Sequence, residues 1–145
     1  MAERSRPRRS WGSFPTTADM GIRATGANAS ELLEALGLGL FALETDLRKV
    51  RPSEERTVTA SAADPSELVV AYLGQLLLLQ QVDGFLVRSI HARALGDPPT
   101  SVLAVVRGEP YDPDRHPQRI EVKAITLHRL LFDPARGRAR VIVDI

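Results

Sequence analysis

The start of one helix is the sequence feature that most restricts how this chain can fold. Asp64 suits the N-cap position, Pro65 the first helical position, and Glu67 the first turn. Apolar residues recur at helical spacing behind this start, so we expect a helix that runs to about Leu79. The buried stripe of this helix would comprise Leu68, Val69, Tyr72, Leu73, Leu76 and Leu77. Asp64 is therefore interpreted as a helix cap rather than as a metal ligand.

A second helix with an apolar stripe is predicted within residues 26–43. Asn28 suits its N-cap, and Glu31 lies three residues on, as in a capping box. Its stripe comprises Leu32, Leu33, Leu36, Leu40, Phe41 and Leu43. Gly37 and Gly39 weaken this helix by about 1 kcal/mol each relative to alanine. They would, however, permit close packing of the helix on a sheet.

Alternating apolar and polar residues predict β-strands on either side of these helices. The predicted strands are residues 14–25, 55–62, 85–94, 101–107, 120–131 and 138–145. The third and fourth are joined by a short loop, which favours an antiparallel pair. We therefore predict a single-domain α+β fold with two helices packed against a largely antiparallel β-sheet. The first and last strands should lie near one another.

Length and composition fit one globular domain without disulfides. The chain has 145 residues, which suits one hydrophobic core. It contains no cysteine, which excludes a disulfide framework, a zinc–thiolate site and a thiol nucleophile. The leucine run Leu76–Leu79 is far too short to cross a bilayer, and the N-terminus lacks an apolar signal core. We expect a cytoplasmic protein with no membrane partner.

The start of the chain is basic. Four arginines against one glutamate give residues 1–10 a charge of +3, which leaves −2 of the net charge of +1 for the rest of the chain. We assign residues 1–13 to a basic arm that is disordered through about residue 10, and residues 14–145 to the folded domain. The arm would contact RNA phosphates, or it is a solvated tail without function.

Two places inside the predicted strands carry charges that do not fit a buried surface. Asp19 and Gly21 both disfavour a strand interior, which indicates a bulge or a close approach to the backbone, or else a frayed strand with a solvated carboxylate. Glu121 and Lys123 would share one strand face. They would form either a surface ion pair or a fixed ammonium beside an acidic cluster.

The last strand runs to the final residue, so we expect the chain end to be docked. Asp144 then brings its carboxylate next to the terminal α-carboxylate of Ile145. Two anionic groups held together need a cation, a base or water, and Ca²⁺ or Mg²⁺ would accept such oxygens. A solvated terminus is the alternative. The polar 108–117 segment, which contains His116, lacks the residue offsets of an EF-hand, and we expect an ordinary loop there.

Several motifs, taken in order, resemble the archease family. They are TADMGI near the start, GLGLF in the first helix, DPSEL and YLGQLL in the second, GE before a Pro-rich loop with RHP, EVKAIT, and a terminal VDI. The resemblance extends from Phe14 to Ile145. EVKAIT and the terminal Asp-Ile are its most specific parts.

The resemblance implies a small cytosolic protein cofactor rather than an enzyme. Archeases assist the GTP-dependent RNA-splicing ligase of the RtcB type, which joins a 3′-phosphate or cyclic phosphate end to a 5′-hydroxyl end. They promote formation and turnover of the ligase's covalent guanylate. A protein of this kind would therefore contact RNA only indirectly, through the ligase. The resemblance also implies a divalent metal ion, Ca²⁺ first, with Mg²⁺ or Mn²⁺ as alternatives. Its ligands would be Asp19, Asp144 and Ile145, and Lys123 would act in partner activation.

Three residues depart from the family pattern. Thr16 stands where the family usually has His, Gln75 where it has Glu, and Leu127 where it has Tyr. The first two departures are expected to bear on metal affinity or choice. The alternative function is a small RNA-binding module that acts through the Arg-rich arm. A metal-dependent hydrolase has less support, since the sequence has no Ser/His/Asp set and no Gly-rich phosphate loop.

Overall fold

The computed structural model describes residues 7–16 and 19–145, whose strands form two antiparallel sheets. The elements in chain order are β1 (Ser10–Pro15), β2 (Met20–Thr25), α1 (Ala29–Glu44), a 3-10 turn (Leu47–Lys49), β3 (Glu54–Ser61), α2 (Pro65–Asp83), β4 (Phe85–Leu95), β5 (Ser101–Pro110), β6 (Ala124–Asp133) and β7 (Arg138–Asp144). The strand orders are β1-β2-β7-β6 and β3-β5-β4. The predicted α+β class is confirmed, as is the neighbourhood of the first and last strands, through β2 and β7.

Helix α1 lies between the two sheets. It is buried without interruption over residues 32–41, as expected for a helix enclosed on all sides. A Cβ added at Gly37 would lie 2.5 Å from Ile90 Cδ1 on β4, whereas one added at Gly39 would lie 2.6 Å from Ile22 Cγ2 on β2. Each glycine therefore lets α1 approach a different sheet, which confirms the predicted close packing.

Both helix starts are capped as predicted. Asn28 Oδ1 accepts the N–H of Glu31 at 2.9 Å, and Asp64 Oδ1 accepts the N–H of Glu67 at 2.9 Å. Helix α2 continues about one turn further than predicted and is ended by Gly84, whose φ of 64° is left-handed. Among the described residues, no helix has the length and the apolar composition needed to cross a membrane.

The prediction of one strand over residues 14–25 is wrong, because this segment folds back on itself. It contributes to the hairpin of β1 and β2, with Thr16 and Asp19 in the turn. The N–H of Thr16 donates to Asp19 O at 3.1 Å, and the N–H of Asp19 donates to Thr16 Oγ1 at 3.1 Å. Alternation alone did not reveal this reversal, since both arms of a hairpin keep the period of two.

Strand β1 also corrects the expected arm. It begins at Ser10, so residues 10–13, which the prediction assigned to the arm, lie in the sheet. Residues 1–6 lie outside the described part of the chain. The close approach predicted near Gly21 is made by the ring of Phe14, since a Cβ on this glycine would overlap Phe14 Cζ.

The strand predicted over residues 120–131 begins later than expected, at Ala124. The residues before it hydrogen-bond to the end of α1 instead, because Arg119 N–H donates to Glu44 O and Ile120 N–H donates to Leu43 O, both at 3.0 Å. These bonds satisfy carbonyls that a helix C-terminus leaves without partners. Glu121 and Lys123 therefore precede the strand, and the prediction that they share a strand face is wrong.

Candidate functional site

The residues named from the resemblance meet at one end of the four-stranded sheet. The β2–β7 register, continued past its last pair, brings Asp19 level with Asp144. On the other side of β7, the first residue of β6 pairs with Asp144. The N–H of Lys123, one residue earlier, donates to Asp144 O at 2.7 Å. Ile145 follows as the chain end, so the strand order β2-β7-β6 gathers residues from opposite ends of the sequence.

The oxygens at this end of the sheet are hard ligands in the sense of metal coordination chemistry. Asp19 is half-buried, while Asp144 and Ile145 are exposed. Two side-chain carboxylates and an α-carboxylate suit Ca²⁺ or Mg²⁺ better than a soft metal. Within residues 7–16 and 19–145, no three His, Cys, Asp or Glu side chains form a group that could hold a metal ion. A cation here would therefore need main-chain oxygens or water as well, and the ligand assignment stays a prediction.

Lys123 has an anchored backbone and an exposed side chain. Its N–H is held by Asp144, and its carbonyl accepts a hydrogen bond from Gln81 Nε2 at 3.4 Å. The following residues enter β6, so the ammonium is carried at the edge of the ordered sheet. Its role in partner activation also stays a prediction.

The three departures from the family pattern have different surroundings. Thr16 accepts a hydrogen bond from Asp19 N–H, so it holds the turn that carries the predicted ligand. Gln75 lines a cavity beside β3 in the other sheet, away from this sheet end. Leu127 is an exposed residue of β6, with 56% of its surface accessible.

Sequence reasoning missed a hydrogen-bonded network in the segment predicted to be an ordinary loop. His116 is 1% exposed, and its Nδ1 accepts the N–H of Asp112 at 2.8 Å. The ring proton therefore lies on Nε2, which donates to Glu109 Oε2 at 2.9 Å. Glu109 also accepts a hydrogen bond from the N–H of Arg51 at 2.7 Å and forms an ion pair with Arg115. No spacing rule links these positions, since Arg51 lies far away in sequence.

The network fixes the charge of Glu109. Burial alone would raise the pKa of this carboxyl, but the hydrogen bonds from Arg51, Arg115 and His116 outweigh that effect and lower it to about 2. From its place in β5, the ionised carboxylate thus holds Arg115 and His116 of the loop that leads to residues 119–123. The predicted loop is confirmed over residues 111–117, whereas residues 108–110 belong to β5, and the hydrogen-bond network that holds the loop was not predicted.

Comparison with known proteins gives the same relationship for almost the whole chain. The sequence model described as "Archease protein family (MTH1598/TM1083)" matches residues 11–145. A "Protein archease" from Methanopyrus kandleri is 36% identical over 138 residues, 93% of this chain and 99% of the relative. Another from Thermococcus gammatolerans is 36% identical over 141 residues, 94% of this chain and 99% of the relative.

A solved structure shares the fold as well. The solution structure of Methanobacterium thermoautotrophicum protein 1598 superposes with a TM-score of 0.74 at 29% sequence identity. The match covers 94% of this chain and 99% of that protein. The arrangement of two helices and antiparallel sheets is therefore common to both.

Proposed function

The chain belongs to the archease family, and we propose that it activates a GTP-dependent RNA-splicing ligase of the RtcB type. In this function it promotes formation of the ligase's covalent guanylate and repeated turnover, and it meets RNA only through the ligase. It acts in the cytoplasm as a protein cofactor and not as an enzyme. The observation that carries the proposal is the meeting of Asp19, Asp144, Ile145 and Lys123 at one end of the sheet.

The proposed divalent cation is Ca²⁺, with Mg²⁺ and Mn²⁺ as alternatives. Asp19, Asp144 and the α-carboxylate of Ile145 would hold it, because hard cations prefer carboxylate oxygens. When bound, such a cation supplies positive charge for phosphoryl transfer. Thr16 contributes from the turn, since its hydroxyl accepts the N–H of Asp19 and so orients the backbone of that ligand.

Lys123 would complete the site with a second kind of positive charge. Its ammonium is a compact point charge on a flexible stem, and its backbone is tied to the end of β7. That combination suits contact with nucleotide phosphates in the partner's site. We expect Lys123→Ala to reduce stimulation of the ligase without changing metal affinity, because the residue supplies no metal oxygen.

The test is guanylation of the ligase with GTP, followed by multiple-turnover ligation of RNA ends, with and without this protein. Asp19→Asn and Asp144→Asn should each reduce stimulation about tenfold or more. The control is Glu67→Gln, the same change from carboxylate to amide on an exposed residue of α2. Stimulation that survives both Asp changes at wild-type strength would refute the role of this sheet end.

A titration of the protein alone with Ca²⁺, Mg²⁺ and Mn²⁺ tests the cation separately. Calorimetry should give one site in the wild type and in Lys123→Ala, and weakened binding in Asp19→Asn and Asp144→Asn. If the protein stimulates the ligase but binds none of these ions, the metal part of the proposal fails while activation stands. The protein alone should neither ligate RNA nor hydrolyse GTP.

The alternative function is an RNA-binding arm, but one of the arginines of this arm, Arg9, pairs with a residue of the folded domain. Arg9 Nη1 donates to Glu34 Oε1 at 2.9 Å, and this glutamate is buried in α1. Deleting residues 1–6 keeps that ion pair and all of β1. If the chain were an RNA-binding module, the deletion would weaken RNA binding and flatten its dependence on salt. For a ligase activator, stimulation should be unchanged.

A further inference from the structure

A cavity of about 450 Å³ opens between the ends of the two helices and the segment that follows His116. Its walls come from the end of α1, the last turns of α2, the start of β4 and the 117–121 segment. The lining includes Glu44, Thr45, Leu86, Tyr111 and Glu121. A volume of this size lies within the usual range for small-molecule sites, about 300–1,000 Å³.

Two residues that line this cavity each carry a buried polar atom without a hydrogen-bond partner. Glu44 is 8% exposed, and its Oε1 makes no hydrogen bond; Thr45 is 1% exposed, and its Oγ1 makes none. Among the described residues, one further buried side-chain atom, Tyr72 Oη, also lacks a hydrogen-bond partner. An unpartnered buried polar group costs about 1–3 kcal/mol, so two beside one cavity indicate a ligand that supplies donors.

The charges around the cavity favour a cation. Burial raises the pKa of Glu44 to about 8, and the nearby carboxylate of Glu121 adds to this effect. Arg119 also lines the cavity, and its Nη2 lies 3.8 Å from Asp46 Oδ2, which is not part of the lining. Tyr111 is the remaining titratable side chain of the lining. Within residues 7–16 and 19–145, neither Glu44 nor Glu121 forms an ion pair with a basic side chain.

We propose that this cavity binds an alkylammonium group, carried either by a free diamine or polyamine or by a lysine side chain of a protein partner. An ammonium has three donors and no acceptor, which matches Glu44 Oε1, Thr45 Oγ1 and the carboxylate of Glu121. The alkyl stem would pack on Leu86, and the exposed ring of Tyr111 offers a face to the cation. This site is independent of the proposed ligase activation.

An organic cation fits this cavity better than a metal ion. No group of three His, Cys, Asp or Glu side chains that could hold a metal is found in residues 7–16 and 19–145, and the lining contains apolar as well as polar side chains. A metal would leave the apolar wall unused, whereas an alkyl chain would cover it.

The experiment is calorimetric titration of the full chain at pH 8 and low salt with butane-1,4-diamine and with Nα-acetyl-lysine methylamide. Glu44→Gln and Glu121→Gln should each weaken binding about tenfold or more, and Glu67→Gln should leave it unchanged. Butane-1,4-diol, which has the same length and no charge, should not bind. Circular dichroism checks that each variant is folded, and Glu121→Gln changes only an exposed side chain.

The two probes separate the two sources of the ammonium. Tighter binding of the diamine identifies a free polyamine, and tighter binding of the lysine derivative identifies a partner's side chain. No binding of either probe by the wild type, or equal binding by Glu44→Gln and the wild type, overturns the proposal.

Proton release provides a second readout. Because the pKa of Glu44 is about 8, roughly nine-tenths of this group is protonated at pH 7. Binding of the lysine derivative, whose amine pKa of about 10.4 keeps it charged at both pH values, should therefore release close to one proton at pH 7 and almost none at pH 9, measured by titration in buffers of different ionisation enthalpy. Glu44→Gln should abolish the difference between the two pH values, and a difference that persists would count against Glu44 as the contact.

Discussion

Replacing Glu109 by glutamine should destabilise the protein in a way that depends on pH. The change keeps the shape of the side chain but removes the charge that Arg51, Arg115 and His116 stabilise. Hydrogen bonds and the ion pair lower the pKa of Glu109 from 4.5 to about 2, against the effect of burial. A difference of this size corresponds to about 3 kcal/mol of folding free energy at neutral pH.

The sign of the pH dependence follows from the direction of the shift. Since the pKa of Glu109 is lower in the folded state, its stabilisation is fully present above about pH 5. It is lost as the pH falls from 4.5 towards 2, and at pH 3 about half of it is left. The glutamine variant has no such carboxyl, so the stability difference between wild type and variant should shrink on acidification.

Urea unfolding followed by circular dichroism measures this difference at pH 7 and at pH 3. Glu55→Gln is the control, because Glu55 pairs with Arg107 at the surface and should contribute less than about 1 kcal/mol at either pH. If Glu109→Gln costs the same at both pH values, the stabilisation does not come from the charge. In that case the network would act by shape and packing alone.

Three further predictions concern the helices. Gly37→Ala should lower the free energy of unfolding by about 1–2 kcal/mol in urea titrations, because its Cβ would crowd Ile90, and this overpacking outweighs the gain in helix propensity. Gly74→Ala, with no atom within 4 Å of the new Cβ, should stabilise α2 by up to about 1 kcal/mol, and destabilisation there would contradict the argument. Asp64→Ala should cost about 1 kcal/mol in thermal or urea unfolding by removing the acceptor for Glu67 N–H, and an unchanged stability would show that the cap is dispensable.

The features that could be predicted from the sequence are those set by neighbouring residues. The two helix starts depend on Asn28 and Asp64 and on donors three residues later, so local sequence determines them. The close approach at Gly37 and Gly39 was also foreseeable, because glycine inside a helix is unfavourable without a packing reason. The antiparallel pairing of β4 and β5 follows from their short connection.

The partition of the strands into two sheets could not be foreseen, because it depends on contacts far apart in sequence. Alternation identifies a strand but not its partner, and it does not tell a hairpin from one long strand, as Thr16 and Asp19 illustrate. The same limit applies at the other end of the chain. Residues 120–123 alternate like a strand, yet the N–H groups of Arg119 and Ile120 donate to the carbonyls of Glu44 and Leu43 at the end of α1. The sequence near residue 120 does not indicate these distant acceptors.

For the candidate site, too, some residues could be named from the sequence, whereas their placement depends on the fold. The resemblance named Asp19 and Lys123, but the order β2-β7-β6 is what brings them to the same end of the sheet. The sequence did not show that the carboxyls of Glu44 and Glu109 are buried, because contacts distant in sequence decide whether a glutamate is a surface charge. Their opposite pKa shifts make this plain, since one lacks hydrogen-bond donors and the other has several.

Segment 111–123 connects these features, and it has no strand ladder of its own. Its position depends on three anchors: the hydrogen-bond network of Glu109 at its start, the last carbonyls of α1 in its second half, and the bond from Lys123 to Asp144 O at its end. The first anchor is a charge effect, the second completes a helix end, and the third belongs to the sheet. The cavity beside Glu44 lies against the middle of this segment. The position of Lys123 is therefore determined by residues far away in sequence, which is why the alternation around it predicted a strand and missed the loop.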